Sequence, residues 1–522
     1  MTKSISLKTF LVIVLIFLVF ASETLLFAQQ ADKDNLIRQQ SETAENLRKS
    51  GDIEGSLRLL NEIIAEKPTF FGPYYSRGLI YKSRKEFDAA ARDFTTTIEL
   101  QPNVGVFYFH RGLIYLSTKK FDLAVSDFSS LIKLEPNELS GYVNRGIAQR
   151  NLKNYDLAIK DFSKAIQINP NEPDFYLFRA GTYSEVDENA SAISDYTKTI
   201  QLQPNEAFAY INRGVLNRII GETDAAMADF SKSIELNPAF AAAYYERGLI
   251  YAASEKFDLA IEEFTKAIKN DSRFIPAYIR RGFAYKEIKQ FSDAIADLTI
   301  TVELEPQNAE HYANRAAVLL DKPEYKLALA DLNKALQLDP KYDDTYVYFS
   351  YLYFKLENYD LLIANSTKAI EMNNKNAMAY NNRGYGYLEK KELGKAIKDI
   401  NKALELAPNL SLANNNLGLY FIKKGDFDKA LEHVNKAIEL SKNLPEGYLN
   451  LALIHIGKKE YDKALPQVNK AIELNPNLRA ALIARSEVFR KLGRKKEAEL
   501  DDKKVAEIKK DLAGIEKELT SK

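Results

Sequence analysis

The charged residues of the chain are arranged regularly enough to suggest chemistry. Ten arginines are each followed, sixteen residues later, by a carboxylate. The pairs are Arg77/Asp93, Arg111/Asp127, Arg145/Asp161, Arg179/Asp195, Arg213/Asp229, Arg247/Glu263, Arg281/Asp297, Arg315/Asp331, Arg383/Asp399 and Arg485/Asp501. Carboxylates serve general acid–base catalysis, but a ladder of arginine–carboxylate pairs indicates a structural device that fixes the register of packed helices. We therefore predict structural ion pairs, not a catalytic row.

Other reactive groups are sparse. The chain has no cysteine, which excludes disulfides, thiolate metal sites, cysteine nucleophiles and a lipidated cysteine anchor. Its four histidines are dispersed, without metal-ligand spacing, and no Gly-rich phosphate loop is present. Lys plus Arg equals Asp plus Glu at 72 each, which argues against binding nucleic acid by charge alone. We predict no enzymatic activity, no cofactor, no metal and no nucleic-acid partner.

The elements that position the pairs repeat along the chain. A length of 522 residues exceeds the roughly 150 residues of one ordinary domain. Fourteen blocks of 34 residues follow one another from 37 to 512 without insertion or deletion. Position 8 of every block is Gly, Ala or Ser, position 20 is Ala in twelve blocks, and position 32 is Pro in ten. Such self-similarity predicts a repeat architecture.

Each block has the pattern of a helix–turn–helix unit. Apolar residues recur with helical spacing, and proline at position 32 ends the second helix. We expect helix A at about positions 1–14 and helix B at about 18–31, with the small residue at position 8 facing the small residue at position 20. The pattern resembles the tetratricopeptide repeat family over 37–512. The resemblance implies an all-α, right-handed superhelical solenoid whose groove, lined by helix A, binds proteins or peptides.

Covariation within the chain supports the ion pairs. Position 7 is arginine in ten blocks, and position 23 is acidic in the same ten. The other four blocks have Thr, Phe or Leu at position 7 and no acid at position 23. A match this complete indicates contact. Pairing with the preceding block fails at Arg77 and Arg383, so we predict that each pair joins helices A and B of one repeat.

The resemblance places positions 5, 9 and 12 of helix A in the groove, where this chain is mainly apolar. The family's carboxylate clamp requires Lys at position 5 and Asn at position 9, and no block has either. Asparagine recurs at position 6, and an amide could pair with the backbone of an extended peptide. Two alternatives stay open: the apolar positions could only bury area between successive repeats, and the amides could be solvated or cap neighbouring groups.

Block ten, 343–376, departs from the pattern. It lacks the ion pair, has Leu362 in place of alanine, and carries seven aromatic residues. Internal departures from a consensus point to function or strain, or to drift. We predict the main peptide-binding site in blocks nine to thirteen, where aromatic anchors stand beside amides. Its residues are Leu320, Tyr351, Phe354, Asn381, Asn382, Tyr385, Leu388, Asn415, Asn416 and Asn450.

The N-terminus has the layout of a signal peptide. Lys3 and Lys8 precede the apolar run 10–21, and Ala28 is a plausible cleavage point. We predict a signal peptide at 1–28, a lead-in at 29–36, fourteen repeats at 37–512, and a C-terminal cap or tail at 513–522. Retention of the signal as a membrane anchor is the alternative. The expected protein is an exported scaffold, periplasmic or extracellular, that binds a protein or extended peptide; the alternative is a carrier or assembly factor that holds apolar ligands or outer-membrane precursors.

Overall fold

The computed structural model describes Lys33 and residues 35–520, and these residues form helices without a β-strand. The helices pack in antiparallel pairs, each joined by a short turn. This confirms the predicted all-α repeat solenoid. The predicted signal peptide at 1–28 lies outside the described residues.

Between residues 35 and 520, fourteen helices A alternate with fourteen helices B. The helices A are 35–50, Phe71–Ser83, Gly105–Ser117, Leu139–Asn151, Pro173–Ser184, Ala207–Ile219, Ala241–Ala253, Ile275–Glu287, Ala309–Asp321, Asp343–Lys355, Ala377–Glu389, Ser411–Lys424, Pro445–Gly457 and Arg479–Lys491. The helices B are Ile53–Glu66, Phe87–Leu100, Phe121–Leu134, Tyr155–Ile168, Asn189–Leu202, Thr223–Leu236, Phe257–Asn270, Phe291–Leu304, Tyr325–Leu338, Tyr359–Met372, Leu393–Leu406, Phe427–Leu440, Tyr461–Leu474 and Lys495–Thr520. Most helices B thus cover positions 17–30, one residue earlier than expected.

The repeats divide into two compact units. Unit 1 ends at Pro238 and unit 2 begins at Ala239, in the loop between repeats 6 and 7. The 34-residue pattern continues through this loop without interruption. The sequence therefore predicted the repeats but not the division.

The small residue at position 8 lies against position 20, as we expected, and also against a second residue at position 24. A Cβ atom on Gly112 would lie 2.8 Å from the ring of Phe128, at position 24. A Cβ atom on Gly282 would lie 3.2 Å from Leu298, also at position 24, and 3.3 Å from the backbone carbonyl of Ala294 at position 20. Position 8 thus makes room mainly for the large side chain at position 24, and position 20 contributes its backbone. This close approach explains glycine inside helix A, where it costs about 1 kcal/mol relative to alanine.

The turn between helices A and B has one backbone geometry throughout. Position 15 has a positive φ in every repeat, as at Lys119 with 58° and Gly425 with 77°. A left-handed residue at this point ends helix A. Its backbone N–H bonds a carbonyl of the last turn of helix A, as Lys119 N does to Leu116 O at 3.1 Å.

The last helix is longer than the repeat requires. Lys495–Thr520 serves as helix B of repeat 14 and continues past residue 512. The predicted tail 513–522 is therefore helical as far as residue 520, the last residue that the structure describes.

Candidate interaction surfaces

The ten predicted arginine–carboxylate pairs are all present. Arg111 donates from Nε to Asp127 Oδ2 at 2.8 Å and from Nη2 to Asp127 Oδ1 at 2.6 Å. Such two-point contacts lock helix A against helix B. The same two helices within one repeat are joined, at 2.7 Å in the shortest contact, by Arg77/Asp93, Arg145/Asp161, Arg179/Asp195, Arg213/Asp229, Arg247/Glu263, Arg281/Asp297, Arg315/Asp331, Arg383/Asp399 and Arg485/Asp501.

The carboxylates of these pairs are buried in the protein interior. All ten residues are only 3–7% exposed: Asp93, Asp127, Asp161, Asp195, Asp229, Glu263, Asp297, Asp331, Asp399 and Asp501. The cause is that position 23 faces helix A directly, so that a Cβ atom on Gly78 would lie 3.3 Å from Asp93 Cβ. Burial raises the pKa of Asp127, and the hydrogen bonds from Arg111 oppose that effect. These carboxylates therefore belong to the interior of each repeat and are not accessible to a ligand.

The arginine side chains of these pairs also reach the preceding repeat. Arg111 Nη1 donates to Thr95 Oγ1 at 3.0 Å, and Thr95 is position 25 of the preceding helix B. Eight further arginines make the same bond to a hydroxyl or amide at that position. The guanidinium also lies about 6 Å from the ring of a tyrosine at position 4, such as Tyr108. The recurrent Ser, Thr or Asn at position 25 is the sequence signal from which this contact could have been predicted.

The helix A face of unit 1 is the set of side chains at positions 5 and 9 of helices A in repeats 2–6. It consists of Tyr75, Leu79, Phe109, Leu113, Val143, Ile147, Leu177, Gly181, Ile211 and Val215. Ile211 is buried, and the other nine remain partly exposed. Phe109 and Leu113 pack against the core of repeat 3 and remain partly exposed. Unit 1 therefore presents partly exposed apolar side chains on successive helices A.

A histidine lies within this face. The imidazole of His110 stacks on Phe94 with 5.5 Å between ring centroids and lies 5.7 Å from the ring of Tyr75. Lys82 Nζ lies 3.2 Å from His110 Nδ1. Burial lowers the pKa of His110 to about 4, and the nearby charge of Lys82 adds to this effect. At neutral pH the imidazole is therefore uncharged and accepts a hydrogen bond from the ammonium group.

The predicted aromatic anchors in unit 2 do come together. The rings of Tyr351 and Phe354 stack with 5.9 Å between centroids, and Tyr385 meets Phe354 edge-on at 5.2 Å. Burial raises the pKa of Tyr351 and of Tyr385 well above the usual tyrosine value. Two further predicted residues, Leu320 and Leu388, are only 1% and 0% exposed. Leu320 and Leu388 are therefore interior residues, whereas Tyr351, Phe354 and Tyr385 pack on one another and stay partly exposed.

The predicted asparagines bond to one another. Asn416 donates to Asn381 Oδ1 at 2.8 Å, and Asn381 donates to Asn382 Oδ1 at 3.1 Å. Asn450 donates to Asn415 Oδ1 at 2.8 Å. Asn381, Asn415, Asn416 and Asn450 are at most 5% exposed. These four amides therefore connect successive helices A, and the accessibility that we expected of them is not found, because each has a neighbouring amide within reach. Asn382, which is partly buried, also donates to Ser350 Oγ at 2.9 Å.

A charged cluster that sequence reasoning missed lies beside the anchors. Tyr351 donates its hydroxyl to Asp321 Oδ1 at 2.6 Å. Lys286 Nζ lies 3.2 Å from Asp321 Oδ2, and Lys355 Nζ lies 4.8 Å from the centroid of the Tyr351 ring. Burial raises the pKa of Glu446 in repeat 13, whose carboxyl also senses Lys355 and Asp321. These residues occupy variable positions of the repeat, so periodicity offered no signal for them.

The described residues include neither a membrane-spanning helix nor a metal-binding group. None of the helices between Lys33 and Thr520 combines the length and the apolarity needed to cross a bilayer. Within the same part of the chain, no three His, Asp or Glu side chains are grouped in a way that could hold a metal ion.

Family models match more than half of the chain. Each is described as a tetratricopeptide repeat, under three profiles. The matched residues are 75–138, 140–172, 220–273, 281–343, 377–410, 411–444 and 445–478. The matched segments lie on the period of 34 residues and fall in both units.

Solved structures are similar to this chain. The crystal structure of the APC/C hetero-tetramer Cut9–Hcn1 matches with 15% identity and a TM-score of 0.55, over 90% of this chain and 94% of that one. Yeast Tom70 matches with 17% identity and a TM-score of 0.38, over 82% and 97%. YrrB, titled a TPR protein with an unusual peptide-binding site, matches with 22% identity and a TM-score of 0.32, over 36% and 96%. No curated protein matches the sequence of this chain.

Proposed function

Because the chain belongs to the tetratricopeptide repeat family, we propose that it is a non-catalytic scaffold that binds partner proteins through the helix A face of unit 1. The observation that carries this proposal is the run of eight partly exposed apolar side chains at positions 5 and 9, on five successive helices A. Partly exposed rings such as Tyr75 and Phe109 are the kind of residue that dominates binding energy at protein interfaces.

Unit 1 is a better candidate than the residues we predicted in unit 2. In unit 2 the amides of Asn381, Asn415, Asn416 and Asn450 are buried and bonded within the chain. A peptide that read these amides would first have to break existing hydrogen bonds and expose the groups that made them. The helix A face of unit 1 needs no such rearrangement.

The polar groups on this face suggest the chemistry of the ligand. Lys82 is partly buried, and among the described side chains its hydrogen-bond partner is the uncharged His110. Burial lowers the pKa of Lys82, so a carboxylate from a ligand would restore a stabilising charge partner. Two repeats along, Arg150 lies across Gly181, and its guanidinium donates to Glu185 Oε1 at 3.3 Å, which shows a carboxylate bound beside this face. We propose a partner segment with apolar side chains and acidic residues.

Site-specific photo-crosslinking tests this proposal. Benzoylphenylalanine at Leu113, on the face, should crosslink a partner protein in native cells. The matched control places it at Leu123, an exposed leucine on helix B of the same repeat. The variant Phe109→Ser should abolish the crosslink while leaving helicity unchanged. Equal crosslinking from both positions, or crosslinks to lipid alone, would contradict a peptide site on this face; the second outcome would favour the apolar carrier.

We also propose that the protein is exported. The support is the basic, apolar and small-residue layout of 1–28. N-terminal sequencing of the native protein should begin near Gln29, and the chain should leave the cytosol. An intact Met1 chain recovered from the cytosol would contradict the proposal, and an intact chain in the membrane fraction would identify an uncleaved anchor.

A further inference from the structure

The end of the C-terminal helix packs against repeats far upstream in unit 2. Leu512, Ile515 and Leu519 lie on one side of the helix and pack against a buried cluster of repeats 9 and 10. We call it the 9/10 cluster; it consists of Ala316, Leu319, Leu320, Ala328, Leu332, Phe349, Leu352 and Leu356. A helix that only capped repeat 14 would contact repeat 14, so this contact needs another explanation.

Polar contacts define the position of the helix on that surface. Asn358 Nδ2 donates to Glu516 Oε1 at 2.7 Å, across 158 residues of sequence. Burial raises the pKa of Tyr353, and the charge of Glu516 adds to this effect, which places the carboxylate near that hydroxyl. Leu512, Ile515 and Leu519, spaced i, i+3 and i+7, therefore pack on repeats 9 and 10. Glu516, at i+4, accepts a hydrogen bond from the same region. This is the pattern by which an amphipathic helix is recognised.

Two further contacts join repeats 13 and 14 to repeats 8 and 10. Arg479, the first residue of helix A in repeat 14, donates from Nε to Glu357 Oε1 at 2.9 Å. Lys289 Nζ donates to the carbonyl of Leu474 at 3.4 Å. These contacts do not involve residues beyond 512, so these repeats stay close when the end of the helix leaves.

We propose that the surface over the 9/10 cluster, with Tyr325, Tyr353 and Asn358 at its margin, is a helix-binding site that the C-terminal helix occupies in cis. The partner is a protein that presents an amphipathic helix with the same apolar spacing and a carboxylate, and it binds by displacing the end of the C-terminal helix. This site is separate from the helix A face of unit 1.

The cis contact is small enough to be displaced. The segment 512–519 is only about 12 Å long at 1.5 Å per residue, and its three apolar side chains remain partly exposed. A tethered segment is present at an effective concentration of about millimolar, which compensates for weak contacts. A partner helix that extends the same spacing over further turns buries more apolar area and competes with it.

Peptide binding to a shortened chain tests the proposal. The probe is a fluorescent synthetic peptide with residues 505–522 of this chain, and the receptor is the chain ending at residue 510. The shortened chain should bind the peptide at least about tenfold more tightly than the full chain, where the site is occupied. A peptide with Ile515→Asp is the matched control and should lose at least about tenfold in affinity.

A second receptor guards against misfolding of the shortened chain. The full chain with Ile515→Asp keeps every residue but should release the helix end, so it should also bind the wild-type peptide. Because the chain has no cysteine, Asn358→Cys with Glu516→Cys introduces a single pair. Its oxidation should close the site and its reduction should return binding to the full-chain level. Two results would overturn the proposal, provided that the shortened chain and the Ile515→Asp chain remain helical. One is that both bind the peptide no better than the full chain does; the other is that neither binds it. Phe109→Ser should not change peptide binding, so failure here leaves the proposed function of unit 1 intact.

Discussion

Repeats 2–6 of unit 1 and repeats 10–13 of unit 2 share one backbone pattern but are held by different polar contacts. Each repeat from 2 to 6 has an arginine–carboxylate pair that joins helices A and B, as between Arg145 and Asp161. Repeats 10, 12 and 13 have no arginine at position 7. There the polar contacts run between helices A of successive repeats, from Asn416 to Asn381 and from Asn450 to Asn415.

The difference changes what each region leaves exposed. In unit 1 the polar groups lie between helices A and B, and the apolar helix A face stays partly open. In unit 2 the amides join the helices A themselves and are buried, while the aromatic side chains beside them stay partly exposed. The same 34-residue repeat can therefore use its polar side chains to join its own two helices or to join the helices A of successive repeats.

The largest expected effect is on the ion pair of repeat 4. Asp161→Ala leaves Arg145 without its carboxylate, and should lower the free energy of unfolding by about 3 kcal/mol, because an uncompensated charge stays partly buried. Arg145→Leu combined with Asp161→Ala should cost less than the single change. Denaturant unfolding of both variants measures this. Losses that simply add would show that the two side chains are not coupled.

Transplanting a pair into repeat 12 tests whether the two types of contact can be exchanged. Leu417→Arg alone should destabilise the chain by about 2 kcal/mol, since Leu417 is 7% exposed and the charge lacks a partner. Adding His433→Asp at position 23 should recover most of that loss. Asn401 stands at position 25 of the preceding repeat and can accept from the new arginine, as Asn469 does from Arg485. If the double variant is no more stable than Leu417→Arg, the pair depends on more than these positions.

Removing an amide in unit 2 should have a moderate effect. Asn416→Ala leaves the buried Oδ1 of Asn381 without its donor and should cost about 1–2 kcal/mol. The control Asn435→Ala changes an exposed asparagine of repeat 12 and should stay within about 0.5 kcal/mol. Hydrogen exchange of the helices A in repeats 11 and 12 should rise only in the first variant. Equal effects of the two changes would contradict the structural role of the amide bridge.

The smallest expected effect concerns acid stability. The pKa of His110 is about 4 in the folded chain and about 6.5 when unfolded. Below pH 6.5 the unfolded chain binds more protons, so this residue lowers stability as the pH falls toward 4, and has no effect above pH 7. Unfolding of His110→Phe at pH 7 and pH 5 should show a weaker pH dependence than the wild-type chain. Burial also lowers the pKa of His433 in unit 2, so His433→Phe is the matched variant in that unit. If both variants weaken the pH dependence of stability equally, the two units do not differ in this property.

The sequence by itself determined the repeat, its two helices and the ion-pair ladder. These features depend on local spacing, and their contacts recur at a constant separation of sixteen residues, so fourteen copies reinforce one signal. The residues at positions 7 and 23 could therefore be paired without coordinates. The resemblance also predicted that helices A carry the interaction surface, and this stays a prediction.

Only the tertiary structure decided which parts of that surface are accessible. The amides of Asn381 and Asn416 looked available along the sequence because the hydrogen bond that joins them links two different repeats. Contacts such as Asn358 with Glu516 join residues 158 positions apart, a separation at which no periodic pattern operates. How closely distant repeats approach depends on the sum of small rotations between neighbours. That sum is a property of the folded chain, so the contact of the C-terminal helix with repeats 9 and 10 could not be inferred from the repeat.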